Sequence, residues 1–345
     1  MYLSRLTYRD NDWEIGPIHL SQQSLVVGPN ASGKSTLLRC IRRFVRVVLG
    51  LGKVDSMPDC EYIMEFSNSM GTVTYTLRIQ GGKVVNELLD TNGTKRLTRD
   101  KRGGYIGEES VNVPDTTLVL SARRDIDKYP DIEMVHKWVE QMTSFIFSNV
   151  LSSISNASPF TTSQMDLCQM WEKLKQKQKD SVIARMRELH YGIDTIDLET
   201  NKLGEKTLFI VEENVASPIV MGKMSNGMFR VLYLLVYLYY ISSFSFGAVL
   251  IDDLGEGLDY FRSSELGRFS FSFSKKHNIQ MIVTSNDNFL VDTVDLSAWV
   301  LLKRVGRVVS SVSEKTNPED FARFRRMGLN NFDLIKTDFL MRYFE

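Results

Sequence analysis

Ser24-Leu25-Val26-Val27-Gly28-Pro29-Asn30-Ala31-Ser32-Gly33-Lys34-Ser35-Thr36 is the stretch on which the reading of the whole chain turns. Gly28 to Ser35 matches G-x-x-x-x-G-K-[ST], with an apolar strand candidate before it and a helix candidate, Thr36 to Val48, after it. Gly28 and Gly33 let the backbone turn so that successive N–H groups point inward, an anion nest at a helix N-terminus whose partial positive charge favours phosphate. Lys34 then reaches the β- and γ-phosphates of a nucleotide, and the Ser35 hydroxyl is a Mg²⁺ ligand. The whole run from Gly28 through Pro29, Asn30, Ala31, Ser32, Gly33, Lys34 and Ser35 to Thr36 is the candidate phosphate cradle. A chance glycine-rich turn is the competing reading, and the order strand, motif, helix speaks against it.

A second stretch completes the chemistry. Gly247 to Ile251 is a run of small and apolar residues that ends in Asp252-Asp253 and continues as Leu254-Gly255-Glu256-Gly257-Leu258-Asp259. An apolar strand ending in an acid, downstream of a phosphate loop, supplies the carboxylate that holds Mg²⁺ from a neighbouring parallel strand. Asp252 is that candidate, and Asp253 stands where a general base for the attacking water would lie. Tandem acids at a strand end also occur as a capped turn; the presence of the lysine loop favours the active-site reading.

The 345 residues are 43% hydrophobic and 24% charged, enough for one large or two ordinary domains with a sizeable core. Lys+Arg and Asp+Glu both count 42, so no global field draws the chain to nucleic acid, and any such contact needs a local patch. Cys40, Cys60 and Cys168 are scattered without C-x-x-C spacing, which predicts reduced thiols in a cytoplasmic setting rather than disulfides or zinc. His19, His136, His190 and His277 are equally scattered and read as surface or interface residues. Met1-Tyr2-Leu3-Ser4-Arg5 leads into alternating polar and apolar residues, so no cleavable signal is expected. Val231 to Ile251 lacks charge and is long enough to span a bilayer. Its interruption at Ser242-Ser243-Phe244-Ser245-Phe246-Gly247 favours a buried helix followed by a buried strand, so no membrane partner is expected.

Working outward from the loop, Leu3 to Tyr8, Glu14 to Leu20 and Ser24 to Val27 read as strands. Trp13, in the turn between the first two, is either a base-stacking aromatic or plain core. The helix after Lys34 carries Leu37, Leu38, Ile41, Val45 and Val48 at helical spacing, with Arg39, Arg42, Arg43 and Arg46 as a solvated face. Glu61 to Leu89 alternates with period two and predicts an antiparallel meander. Asp90 to Gly104 reads as a basic loop with Lys95, Arg96, Arg99, Lys101 and Arg102, either merely mobile or a contact for a nucleic-acid backbone. Thr116 to Leu120 is a buried-strand candidate; Arg123-Arg124 after it reads as a phosphate or DNA contact or as a structural ion pair.

Met134 to Leu151 and Met165 to Leu189 predict helices, with Lys173, Lys175, Lys177 and Lys179 as a solvated run. Strands are expected at Thr195 to Leu198, Thr207 to Val211, Ile219 to Met221, Ile279 to Thr284, Trp299 to Lys303 and Arg307 to Val312. Helices are expected at Val231 to Ser242, Tyr260 to Lys276, Pro318 to Arg326 and Phe332 to Phe344.

The order of these motifs resembles the ABC-type ATPase heads of the SMC and RecF kind, and within them the short AAA-labelled ATPases related to the OLD (overcoming lysogenization defect) proteins. The likeness covers nearly the whole chain and rests on Gly28 to Ser35, on the signature-like Met224-Ser225-Asn226-Gly227, and on Val249-Leu250-Ile251-Asp252-Asp253 running into Gly257-Leu258-Asp259. It implies an α/β fold, an ABC ATPase head with a mixed central sheet, an antiparallel β subdomain and an inserted helical lobe. Residues 1–345 would form one head, with 61–104 as the meander and basic loop and 131–192 as the helical lobe. In that family two heads sandwich two ATP molecules. Carried over, Ser225 and Gly227 would cap the γ-phosphate held by a partner head, and Asp259 would lie in the loop crossing the interface.

Two departures bear on the chemistry. The family usually has Glu where this chain has Asp253, and His where it has Asn286. Aspartate is one methylene shorter, and asparagine hydrogen-bonds a γ-phosphate but does not titrate. The resemblance, so modified, implies slow ATP hydrolysis through Lys34, Asp253 and Asn286, with ATP and Mg²⁺ acting chiefly to clamp a homodimer or higher oligomer. Only 134–189 is available for a helical lobe, so the long arms of SMC proteins are not expected. Short relatives work beside a separate effector, often a nuclease in anti-phage defence, and no nuclease motif appears in this chain. A sensing or regulatory ATPase beside a nuclease or toxin is therefore one expectation. A DNA-repair or DNA-end-binding head of the RecF kind, with DNA as partner, is the alternative. A transporter's nucleotide-binding subunit fits less well, because the meander suits the RecF side.

Overall fold

The computed structural model describes residues 1–146, 166–202, 204–215, 217–244, 247–286 and 288–328. Strands β1 (Tyr2–Asp10), β2 (Glu14–His19) and β3 (Gln23–Val27) lead into helix α1 (Lys34–Val48). A meander follows: β4 (Cys60–Asn68), β5 (Gly71–Gln80), β6 (Lys83–Thr91), β7 (Thr94–Asp100), β8 (Gly103–Ile106) and β9 (Glu109–Val111). Next come α2 (Val119–Ala122), α3 (Pro130–Glu140), β10 (Met142–Ile146), α4 (Leu167–Lys173), α5 (Gln176–Glu188), β11 (Ile193–Thr200), β12 (Lys206–Glu212) and β13 (Ile219–Val220). The chain continues through α6 (Asn226–Ile241), β14 (Gly247–Asp252), α7 (Tyr260–Lys276), β15 (Ile279–Thr284), α8 (Asn288–Thr293), β16 (Trp299–Val305), β17 (Val308–Ser313) and α9 (Pro318–Arg326).

Among the described residues a 14-stranded sheet runs β10-β14-β15-β3-β16-β17-β2-β1-β4-β5-β6-β7-β8-β9. From β10 to β16 every neighbouring pair is parallel. From β2 through β1 and β4 to β9 every pair is antiparallel. Strands β11, β12 and β13 form a separate antiparallel sheet.

The two halves differ because their strands are buried differently. In the parallel half, Leu25, Val27, Val249, Ile251, Met281 and Val283 face a core shared with α4 to α7. Val26, Ala248, Leu250 and Ile282 face the opposite core, shared with α1, α3 and the meander. Burial on both faces demands near-continuous apolar strands, which is what 247–251 and 279–283 supply. Helix α1 buries Leu37, Leu38, Ile41, Phe44, Val45 and Val48 against that second core and leaves Arg39 exposed. The solvated face is narrower than expected, since Arg43 is half-buried and donates to the Tyr8 hydroxyl at 3.1 Å.

Several expectations are corrected. The stretch 90–104 is not a loop: it ends β6 and forms β7 and the start of β8. Thr116 to Leu120 is not a strand, because the carboxylate of Glu87 accepts the N–H groups of Val119 (2.8 Å) and Leu120 (2.9 Å) and so caps α2. Helix does not continue from Met134 through the 140s. It ends at Glu140, and Met142–Ile146 pairs in parallel with Ala248–Asp252 as the sheet's edge strand. The segment 131–192 is therefore not wholly helical. His136 is buried rather than on the surface. Residues 147–165 and the expected helix Phe332 to Phe344 lie outside the described residues. Val231 to Ile251 divides into α6 and β14, and no described helix is long and apolar enough to cross a membrane. Cys40, Cys60 and Cys168 are free and buried.

Candidate functional site

Strand β3 delivers the chain to the loop at the carboxyl edge of the sheet, where open α/β sheets bind ligands. A Cβ on Gly28 would stand 2.6 Å from the Leu302 carbonyl oxygen and 2.8 Å from Ser32 Oγ, so only glycine lets the loop leave β3 this tightly. Gly33 precedes α1 with φ 101°, and a Cβ there would meet Val309 Cγ2 at 2.9 Å. No side chain caps α1, so its first N–H groups and the positive end of its dipole belong to the loop. Lys34 Nζ is drawn into the cradle, donating to the carbonyls of Gly28 (2.8 Å) and Pro29 (3.0 Å). Burial lowers the Lys34 pKa, while Asp253 and Asp252 push it back up.

The acid pair reaches the same place from β14. Asp252 was expected on a strand next to the loop strand, but β15 lies between β14 and β3. The gap is bridged by side chains: Ser35 Oγ donates to Asp252 Oδ1 at 3.1 Å, and Thr284 Oγ1, at the end of β15, donates to the same oxygen at 2.7 Å. Asp253 is half-buried with φ 57°, a left-handed backbone that non-glycine residues seldom adopt. Burial raises its pKa, and the neighbouring charges of Asp252 and Glu256 add to that, with Lys34 opposing. Asn286, just beyond β15, donates from Nδ2 to Asn30 Oδ1 at 3.1 Å and so spans the cleft to the loop.

Of the expected residues, Asn30 to Thr36, Asp253 and Asn286 line one cleft of about 310 Å³. Gly28 and Pro29 touch it through their carbonyls on Lys34, and Asp252 through Ser35. Two aromatic and cationic groups complete the wall: Trp13, with the Arg304 guanidinium 4.1 Å from its ring centroid. Trp13 is therefore a cleft residue rather than plain core.

No protein-family model matches the sequence, and no curated protein does either. Among solved structures, the chain is similar to an SMC head bound to the C-winged helix domain of ScpA. The TM-score is 0.58 at 13% identity, covering 91% of this chain and 98% of that one. It is also similar to the Smc head domain with an extended coiled coil bound to the C-terminal domain of ScpA derived from Pyrococcus furiosus. There the TM-score is 0.53 at 12% identity, covering 94% of this chain and 99% of that one. The fold is that of an SMC ATPase head.

This fold does not bring every expected residue to its own cleft. Ser225 is exposed and N-caps α6, its Oγ accepting the Met228 N–H at 3.3 Å. Gly227 sits against Leu258, Tyr191 and Gly257. Neither lines the cleft. Asp259 N-caps α7 and pairs with Arg262 at 2.6 Å. The arginines read as nucleic-acid contacts are mostly spoken for. Arg99 is buried against Glu87, Arg96 pairs with Asp131, Arg102 with Asp100, and Arg124 with Glu133 and Glu140. Arg304 and Thr284 carry no sequence signal, because each acts from a strand end far from the motif it touches.

Proposed function

We propose that this chain binds ATP with Mg²⁺, hydrolyses it slowly, and pairs with a second copy around the nucleotide. The observation that carries the reading is the convergence of Lys34, Ser35, Asp252, Asp253 and Asn286 at the carboxyl ends of three parallel strands. The residues fit the cation: a hydroxyl and a carboxylate, Ser35 and Asp252, are already within 3.1 Å, and both are the oxygen donors that Mg²⁺ selects. When bound, Mg²⁺ neutralises phosphate charge and orients the β- and γ-oxygens. The loop N–H groups and Lys34 bind and hold the triphosphate, exchanging the Gly28 and Pro29 carbonyls for phosphate oxygens. Asp253 takes the proton of the attacking water, a role that its raised pKa suits. Its short side chain, and an amide at Asn286, keep the reaction slow.

The cleft is lined by the loop, Trp13, Asp253, Asn286 and Arg304, while Ser225, exposed at the start of α6 with the half-buried Gly227 two residues on, stands outside it. That division of labour favours a homodimer in which each signature turn closes the partner's nucleotide. The resemblance to short OLD-related ATPases extends the reading to a regulator or sensor for a separate effector, a nuclease or toxin, in anti-phage defence. The DNA-end reading is weaker, because Arg99 and Arg124 are engaged in ion pairs within the chain. The test is mass measurement in solution with ATP and Mg²⁺, on the Asp253→Asn variant to hold nucleotide uncleaved. A shift from monomer to dimer that Lys34→Ala and Ser225→Arg each abolish is expected. ATP binding at unchanged mass would overturn the dimer, and equal binding by Lys34→Ala would overturn the site.

A further inference from the structure

The ladder between β14 and β15 ends with Ile251 opposite Val283, so the polar groups just beyond it need other partners. One residue supplies them. The Asp253 N–H donates to Thr284 Oγ1 at 2.9 Å, and the Leu254 N–H donates to the Thr284 carbonyl at 3.0 Å. Thr284 Oγ1 then donates to Asp252 Oδ1 at 2.7 Å. The direction is fixed, because an N–H only donates and a hydroxyl has a single proton. Three consecutive residues, 252 to 254, are thus held by the two oxygens of Thr284, which is fully buried.

The arrangement has consequences for both acids. Asp252 Oδ1 is shared between Ser35 Oγ and Thr284 Oγ1, so if Ser35 turns away to another partner, Thr284 still fixes the carboxylate's rotamer. Asp253 occupies a left-handed backbone, φ 57°, that non-glycine residues seldom adopt and that persists only where the surroundings over-determine it. The hydrogen bond from its N–H to Thr284 Oγ1 and the Glu256 N–H on its carbonyl at 3.1 Å are what hold it there. Ser285 adds a second tie, donating from Oγ to the Leu254 carbonyl at 2.9 Å. Thr284 also lies opposite Val26 of β3, so the turn that carries the acids is registered against the strand that delivers the phosphate loop. A β-branched side chain, stiff at χ1, suits such a spacer.

We propose that Thr284 is a positioning residue that sets the cation-side acid, Asp252, and the base, Asp253, in one register. It rests on the ATPase reading given above, and it locates the effect in cation response and bond cleavage rather than in nucleotide affinity. The experiment uses the full chain as wild type, Thr284→Ser, which keeps both hydrogen bonds, and Thr284→Val, which keeps the shape and loses both. Three quantities are read: ATP affinity in EDTA, the Mg²⁺ concentration giving half-maximal single-turnover hydrolysis, and the single-turnover rate. Thr284→Val is expected to bind ATP in EDTA within about twofold of wild type. Its hydrolysis should fall, or its Mg²⁺ requirement rise, by roughly 10–100-fold, the range for losing a hydrogen bond that orients a metal-binding carboxylate. Thr284→Ser should stay within about threefold of wild type on all three. If Thr284→Val does not fold, Thr284→Ala carries the same expectation.

Wild-type Mg²⁺ response and rate in Thr284→Val would overturn the proposal, as would equal loss of metal-free affinity and rate, with Thr284→Ser no better. A wild-type chain that binds no ATP would refute the nucleotide reading itself, and this proposal with it.

Discussion

Replacing Arg99 by Met keeps the length of the side chain and removes its charge from a place where little water replaces it. The guanidinium is 7% exposed and lies 3.6 Å from Glu87, which is 0% exposed. It also donates to the carbonyls of Thr117 (2.7 Å), Pro114 (2.9 Å) and Val113 (3.1 Å). Removing one partner of a buried pair costs about 3–5 kcal/mol, because the other charge is left uncompensated. Here the cost has a ceiling. Burial already raises the Glu87 pKa, and protonation of Glu87 relieves the stranded charge. What then remains is the loss of three carbonyl partners at roughly 1 kcal/mol each, which reaches the same range from the other side. The expected loss in Arg99→Met is about 3–4 kcal/mol by urea denaturation. Glu87→Gln combined with Arg99→Met should be less destabilising than the sum of the two, by about 1–3 kcal/mol. The damage should also reach the nucleotide site, since α2, which Glu87 caps, is tied to the end of α1 by Ser121 Oγ on the Val48 carbonyl at 2.9 Å. A loss under about 1 kcal/mol, with additive singles, would refute the account of Arg99 as a buried clamp and reopen it as a surface contact.

Gly33→Ala should weaken ATP binding at least tenfold, because φ 101° and Val309 Cγ2 at 2.9 Å together force the start of α1 to move. Gly50→Ala, with φ 70° and open space, should lose only about 1–2 kcal/mol of stability and no affinity. Trp13 fluorescence reports both titrations, because the other tryptophans, Trp138, Trp171 and Trp299, are buried away from the cleft; equal affinities would refute the argument. His136 titrates in the fold below its ordinary 6.5, chiefly from burial and then from Arg124, against the pull of Glu140 and Glu133. The unfolded chain therefore takes up the proton first, so this contribution to stability is complete above pH 6.5 and fades as pH falls through the folded pKa. His136→Gln should flatten the pH dependence of the urea midpoint just below pH 6.5, and an unchanged slope would count against it.

What was legible in the sequence was local. Gly28, Gly33, Lys34 and Ser35 act through spacing within one turn, and the strands 247–252 and 279–284 declare themselves because burial on both faces leaves Gln280 as the one polar residue before the terminal Asp252 and Thr284. The meander was legible through period two, as at Tyr62, Met64 and Phe66. What local pattern does not carry is pairing across the chain. Met142 continues the helical spacing of Val135, Trp138 and Val139, yet the Gln141 carbonyl accepts the Ala248 N–H at 3.1 Å and the next five residues pair with β14. Arg99 looks like one of a basic run until Glu87, on the adjacent strand, faces it. Periodicity sees faces, and charge counting sees composition; neither sees which strand edge a segment will meet.

The same distinction explains how the site is divided. Each motif sits at the end of a separate strand, β3, β14 or β15, and no local rule fixes the distances between them. Those distances come from the sheet. Parallel registry places Ile251 beside Val283 and Thr284 beside Val26, so the three strand ends terminate level with one another. Hydroxyls then convert level strand ends into a site, Ser35 and Thr284 both closing on Asp252 Oδ1. A one-residue slip of β15 against β3 would turn Thr284 to the opposite face, and in the direction that brings Val283 to its place Asp253 would lose its N–H acceptor. Buried packing opposes that slip, since it would carry Gln280 away from the Leu3 N–H (2.9 Å) and the Leu3 carbonyl (2.8 Å), which it bonds from inside the core. The packing that stabilises the sheet is therefore also what sets the spacing between Asp252 and the loop that follows β3.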